Sequence, residues 1–138
     1  MADVFTRGKR SEVMRAVRGA QTGPENRVLA IVVRLRFRPI RNDATLPGRP
    51  DLVFPRRKKI ILVHGCFWHR HHCQNGRSTP SSNVDFWTGK FERNRRRDAK
   101  VRRLLRSAGW SVMTVWECQT RNPGLARLER RLLAFLRS

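Results

Sequence analysis

A chain of 138 residues has room for one domain and little more. Its 31 Lys and Arg against 10 Asp and Glu give a formal net charge of +21, with a sequence pI near 11.9. No stretch approaches the ~20 apolar residues of a membrane span, Met1 to Arg10 lack the apolar centre of a signal peptide, and no basic amphipathic helix carries the tryptophans on its apolar face. A compact domain with this charge is destabilised by self-repulsion unless a polyanion relieves it. The excess is mostly Arg, whose fork of donors suits phosphate oxygens and guanine edges. Nucleic acid is therefore the expected partner, in preference to a merely soluble basic surface. Three cysteines, an odd number, disfavour a disulfide framework in an intracellular chain and direct attention to metal ligation.

In chain order, residues 1–20 read as a flexible basic arm, and 21–138 as a single domain. Thr22-Gly23-Pro24-Glu25 reads as a helix start: Thr22 caps, Pro24 suits an early helical position and Glu25 completes a capping box. The helix continues through Val28, Leu29, Ile31, Val32 and Leu35 and ends before Pro39. Three short strands are expected at Phe37–Ile40, Asp51–Phe54 and Lys59–His64. The last is nearly continuous in apolar character, as a strand buried on both faces would be. Residues 65–82 read as an irregular loop. A long basic helix follows from Asn83 to about Ala108, with Phe86, Trp87, Phe91, Val101, Leu104 and Leu105 as apolar contacts and Gly109 at its end. Trp110–Trp116 is a strand, and a final helix places Leu125, Leu128, Leu132, Leu133 and Leu136 on one stripe. This order implies an α/β sandwich around a mixed sheet.

Four constellations carry chemistry. Pro50-Asp51 opens a strand whose successor ends in Leu62-Val63-His64. Phosphodiester hydrolysis at neutral pH needs a divalent metal, and a carboxylate at a strand start beside main-chain carbonyls is one way to hold Mg²⁺. Nucleases of the restriction-endonuclease fold place Pro-Asp and Glu-x-Lys in these positions; the dipeptide alone fits a turn or an ion pair better. Second, Cys66, His69, His71, His72 and Cys73 crowd into eight residues, with Cys118 downstream. Zn²⁺ takes four N or S ligands. Cys66, Cys73, Cys118 and one histidine supply them; His71 is the choice made here, which leaves His69 free. The alternative is a basic loop with buried thiols. Third, Phe67, Trp68 and Trp87 are either core residues or apolar wedges that enter a base stack. Fourth, Lys90, Arg93, Arg95, Arg96, Arg97, Lys100, Arg102, Arg103 and Arg106 face only Glu92 and Asp98, an imbalance that suits a phosphate track better than a solvated face.

Leu46-Pro47-Gly48-Arg49-Pro50-Asp51, His64-Gly65-Cys66-Phe67-Trp68-His69, His72-Cys73, Phe86-Trp87 and Val115-Trp116-Glu117-Cys118, together with Met14-Arg15-Ala16, resemble the very short patch repair endonucleases in collinear order over nearly the whole chain. The resemblance implies a restriction-endonuclease-like mixed sheet flanked by helices, with a structural zinc held by Cys66, His71, Cys73 and Cys118. It implies that Asp51 and the main-chain carbonyl of Val63 bind magnesium, that His69 is the general base, and that His64 and Glu25 support the metal–water network. Phe67, Trp68 and Trp87 would intercalate, Met14 would wedge from the other side, and Lys90 and Asn94 would read the mismatch. The implied reaction is a nick on the 5′ side of the T in a T:G pair left by deamination of 5-methylcytosine. The implied actor is a cytoplasmic, nucleoid-associated monomer acting on double-stranded DNA, linked to a cytosine-5 DNA methyltransferase and a repair polymerase. Two departures stand out: Val63 replaces a residue that is commonly Thr, and Gln74–Asn83 is unlike the family. The rival readings are a restriction-type endonuclease of the same fold, normally a symmetric dimer cutting both strands of matched DNA, and a zinc-stapled DNA-binding module without catalysis.

Overall fold

The computed structural model describes residues 23–69, 71, 73 and 82–138, with the side chain of Trp68 excepted. The basic arm, Thr22 and Met14 lie outside the described residues. Among the described residues the α-helices and strands follow in this order: α1 (Pro24–Arg34), β1 (Ile40–Arg41), β2 (Leu52–Phe54), β3 (Lys59–His64), α2 (Cys66–His69), α3 (Val84–Ser107), β4 (Ser111–Trp116) and α4 (Leu125–Arg137). Among the described residues no helix is long and apolar enough to cross a membrane.

The sheet has the order β1-β2-β3-β4. β1 and β2 pair antiparallel, as do β2 and β3, whereas β3 and β4 run parallel from Lys59 opposite Ser111 to His64 opposite Trp116. α3 is the crossover that a parallel pair requires. Side-chain alternation then sorts the core into two layers. Leu52, Phe54, Ile61, Met113 and Val115 meet α1 and the Leu128, Leu132 and Leu136 stripe of α4. Val53, Ile60 and Leu62 meet Leu105 of α3, with Val101, Trp110 and Val112 around them. Each fully buried leucine in these layers contributes about 1.5–3 kcal/mol.

Several local expectations are corrected. The first strand is shorter and later than Phe37–Ile40, because Arg36 adopts φ 71 and Phe37 turns into the core layer beneath α1. α1 begins at an N-cap Gly23 with no side-chain cap; Glu25 pairs instead with Arg41, 3.6 Å away. Within the expected irregular loop, Cys66–His69 forms a helical turn. Phe86 is exposed because α3 lies on the sheet only through its C-terminal half, and Leu104 is exposed beside the Val101–Leu105 face that meets the sheet. A 3-10 turn, Glu117–Thr120, follows β4.

The 42–50 loop approaches α3 unusually closely. Gly48 has φ 75, and a Cβ there would lie 2.6 Å from Val101 Cγ1. Gly48→Ala therefore meets both a disfavoured backbone region and a clash. It is expected to cost about 1–3 kcal/mol in denaturant unfolding. Val101→Ala in the same chain relieves most of the clash but leaves the Val101 Cβ 3.2 Å away and the backbone strain in place, so the Gly48→Ala penalty should shrink without vanishing. An unchanged midpoint for Gly48→Ala would contradict this packing.

Candidate functional site

Both chemical clusters gather where the parallel strands β3 and β4 end, the usual place for sites in α/β sheets. Asp51 directly precedes β2, and its Oδ2 accepts a hydrogen bond from the Val63 amide at 2.7 Å, near the end of β3. It lines a cleft of roughly 330 Å³ with Gly48, Arg49, Val63, His64, His69, Arg97 and Asp98. Burial, opposed by the Val63 hydrogen bond and reinforced by the charge of Glu25, pushes the Asp51 carboxyl up to about 6. Glu25 Oε1 is itself buried without a hydrogen bond among the described residues. The Asp51 carboxylate and its neighbour Glu25 could hold a cation, and hard oxygens of this kind are the donors that Mg²⁺ takes.

His64 ends β3 and is 7% exposed. Burial, and then the charge of His69, lower it to about 4, so it is neutral at physiological pH. Its ring stacks on His69, with centroids 3.9 Å apart and planes within 7°. His69 Nδ1 is in close hydrogen-bonded contact with Asp98 Oδ2. Burial pushes Asp98 up, but the hydrogen bond and charge of His69 outweigh it and hold this carboxyl below the usual range. With Asp98 accepting from Nδ1–H, the basic lone pair lies on Nε2, an arrangement suited to a general base. Asp98 was not among the sequence candidates. Its signal was its phase on α3: Trp87, Phe91, Asn94, Asp98 and Val101 recur at helical spacing.

The second cluster forms because β3 and β4 are in parallel register. Cys66 follows β3 and Cys118 follows β4, and the Cys118 amide donates to Cys66 Sγ at 3.3 Å. The turn bearing Cys118 is fixed by the Trp116 amide to Gln119 Oε1 at 3.0 Å, and by Arg27 Nε to Thr120 Oγ1 at 3.0 Å. His71 Nδ1 lies 3.9 Å from Cys66 Sγ and 3.5 Å from Cys118 Sγ. Tetrahedral zinc with ordinary bond lengths separates a sulfur and a nitrogen ligand by about 3.6 Å. Cys66, His71, Cys73 and Cys118 all present ligand atoms within 4.8 Å of one another, so this Cys/His cluster could hold a metal ion. Burial pushes the Cys66 thiol up to about 12 and raises Cys118 as well. A divalent cation must therefore displace thiol protons as it binds. His69 and His71, two residues apart, serve different clusters. The ring of Trp116 stacks on His71 at 4.4 Å and meets His64 edge-on at 5.3 Å, separating the two sites.

The aromatic candidates are also partly assembled. Phe67 meets Trp87 at 6.0 Å and the buried Phe91 at 5.2 Å, both edge-on. Trp87 stacks on Phe91 at 5.9 Å, and Lys90 Nζ lies 5.9 Å from the Trp87 ring. Phe86, which sequence reasoning assigned to the core, is 58% exposed and touches Trp87 at 5.4 Å. Asn94 is one turn beyond Lys90 on α3, and its Oδ1 accepts from Arg97 Nη2 at 3.2 Å.

The raised Asp51 carboxyl has a consequence for stability. The folded state holds this proton between about pH 4 and 6 while the unfolded chain has released it, so stability falls as pH rises through that window. In magnesium-free buffer Asp51→Asn is expected to raise stability at pH 7.5, by on the order of 2 kcal/mol, and to have little effect at pH 4. Thermal melts at the two pH values check this; equal effects at both would contradict the burial argument.

Comparison with known proteins places the chain among nucleases. The family described as DNA mismatch endonuclease Vsr matches residues 2–75. A Type II nicking enzyme, V.XorIIP, of Xanthomonas oryzae pv. oryzae is 42% identical over 138 residues, covering 99% of this chain and 98% of that protein. The DNA mismatch endonuclease Vsr of Escherichia coli is 41% identical over 123 residues, covering 88% and 77% respectively. A Type II nicking enzyme, V.NmeAIP, of Neisseria meningitidis is 39% identical over 127 residues, covering 92% and 90%.

Proposed function

Because the chain belongs to the DNA mismatch endonuclease Vsr family, we propose that it is a DNA endonuclease that nicks one strand 5′ to the T of a T:G mismatch, leaving 5′-phosphate and 3′-hydroxyl. The observation that carries this reading is the convergence of Asp51, His69 and Asp98 on one cleft beside a basic helix. Asp51 and the Val63 carbonyl would hold Mg²⁺, with Glu25 supporting them; a cation there would supply polarisation of the reacting phosphate and a more acidic attacking water. His69 accepts the water proton at Nε2. Asp98 holds the His69 ring in the required tautomer and stabilises the imidazolium, and neutral His64 supports it by stacking.

The fold is of the restriction-endonuclease type. Residues 21–138 form the catalytic domain, and Cys66, His71, Cys73 and Cys118 hold a structural zinc that fixes the loop bearing the wedges. Phe67, Trp68 and Trp87 enter the base stack with Met14 opposing them, Lys90 and Asn94 read the mispair, and the arginines of α3 track the backbone. A T:G pair resists opening less than a matched pair, so stacking of about 1–3 kcal/mol per base favours the mismatch. The protein acts as a monomer near the nucleoid, on the damage that follows cytosine-5 methylation, and a repair polymerase takes over the nick. The nicking activity named for two relatives supports a single-strand cut.

The test uses purified protein, Mg²⁺ and duplexes labelled on both strands, T:G-mismatched or matched. A cut confined to one strand of the mismatched duplex is expected. Cutting of both strands in matched DNA would favour a restriction enzyme, and binding without cleavage would favour a DNA-binding module. In the same titrations Trp68→Ala should weaken binding to mismatched DNA sharply and to matched DNA little, with its melting temperature nearly unchanged. A large fall in melting temperature with an unchanged affinity ratio would return Trp68 to the core.

A further inference from the structure

The basic residues of α3 are not equivalent. Among the described residues, Arg97 is the α3 cation that lines the cleft at Asp51, and Arg49 of the 42–50 loop lines it too. Their juxtaposition follows from the Gly48 contact. The missing side chain at Gly48 lets the loop pack on Val101, one helical turn beyond Arg97. Arg49, next to Gly48, is thereby brought to the cleft that Arg97 borders.

Two further observations bear on these arginines. Arg49 adopts φ 49, a left-handed conformation that is uncommon outside glycine and that tends to persist at functional clefts. Each guanidinium also has neutral partners: Arg49 Nε donates to the Asn42 carbonyl at 3.4 Å, and Arg97 Nη2 donates to Asn94 Oδ1 at 3.2 Å. Guanidinium has five donors in a planar fork, so both retain donors for an anion. The charge of Arg97 is already felt at His64 and Asp98, which places it close to the proposed general base.

We propose that Arg49 and Arg97 are catalytic residues that clamp the reacting phosphate and stabilise the charge that builds on its non-bridging oxygens. The proposal rests on the nicking reaction inferred above. In that reaction the water oxygen bonds to phosphorus and the P–O3′ bond breaks. The water proton passes to His69, and the departing 3′ oxygen takes a proton from solvent. The arginines move no proton. They supply fixed donors where negative charge develops, the kind of contribution that commonly amounts to about 10²-fold or more per group.

The experiment is single-turnover cleavage of a T:G duplex by the full chain with Mg²⁺ at saturating enzyme, run beside a binding titration. Arg97→Ala and Arg49→Ala should each lower the rate constant about 10²-fold while Kd changes only a few-fold. Arg97→Lys, which keeps the charge but loses the fork, should fall between wild type and Arg97→Ala. Added guanidinium ion should restore part of the Arg97→Ala rate, a response that a purely structural role would not give. Melting temperatures and zinc content near wild type show that the variants fold. An unchanged rate constant with weakened binding would overturn the clamp and return both residues to the phosphate track. Wild-type protein that cuts no T:G duplex would overturn the underlying reaction; wild-type cleavage with undiminished variants would overturn the clamp alone.

Discussion

Asp51→Ala is expected to reduce single-turnover nicking by at least about 10³-fold, because in the proposed reaction the carboxylate would anchor a cation that supplies several kcal/mol of transition-state stabilisation. DNA affinity should change little or rise slightly, since the basic surface that meets phosphate is untouched and one negative charge is removed. The conservative Asp51→Asn should be almost as inactive, although it is expected to be the more stable protein at neutral pH. That combination, a more stable fold with lost chemistry, follows from a carboxyl lifted to about 6 by burial and by the nearby Glu25. It separates a functional carboxylate from a structural one, because a structural ion pair would lose stability on the same change. Single-turnover rates, equilibrium titrations and thermal melts on one set of preparations measure all three quantities. Nicking retained by Asp51→Ala would remove this residue from the metal site.

The second large effect concerns the Cys/His cluster. His71→Ala or Cys66→Ala should yield protein with little bound zinc and a melting temperature lowered by more than about 10 °C, because binding free energy at a structural zinc site is folding free energy. His69→Ala should retain zinc in full and lose only the chemical step. The two histidines are two residues apart, yet one lies among sulfurs and the other against Asp98. Elemental analysis of the purified variants distinguishes them. Zinc loss in His69→Ala with retention in His71→Ala would exchange their roles. Since the Cys66 thiol is pushed up to about 12, zinc loading of metal-free protein should release protons and weaken as pH falls.

Much of this was legible in the sequence because it depends on local pattern. The Lys59–His64 run, the leucine stripe of α4 and the basic helix ending at Gly109 each follow from side-chain period and end signals, and each forms near its expected position. What was hidden depends on long-range placement. Strand order could not be read from residues, because nothing local states that Lys59 will lie opposite Ser111. Yet that parallel register is what brings Cys66 to Cys118. Asp98 looked like a counter-charge among arginines, and only the packing of α3 on α2 makes it the partner of His69. Thr22 and Glu25 read as a capping box, but the described cap is Gly23 with no side-chain bond, and Glu25 pairs with Arg41 while its charge acts on Asp51. Phe86 matched the helical pattern of a core residue and is exposed because the sheet ends before it.

The central claim is that the Asp51–His69 cleft hydrolyses the phosphodiester beside a mispaired thymine. Strand-resolved mapping tests it most directly. A duplex with a single T:G pair, labelled on either strand, is incubated with the full chain and Mg²⁺, and the products are sized to the nucleotide. The account predicts one break, immediately 5′ to the mispaired T and ending in a 3′-hydroxyl, with the G strand intact and the T:A control uncut. Breaks at the same rate in the T:A control, or matching breaks in both strands, would contradict it.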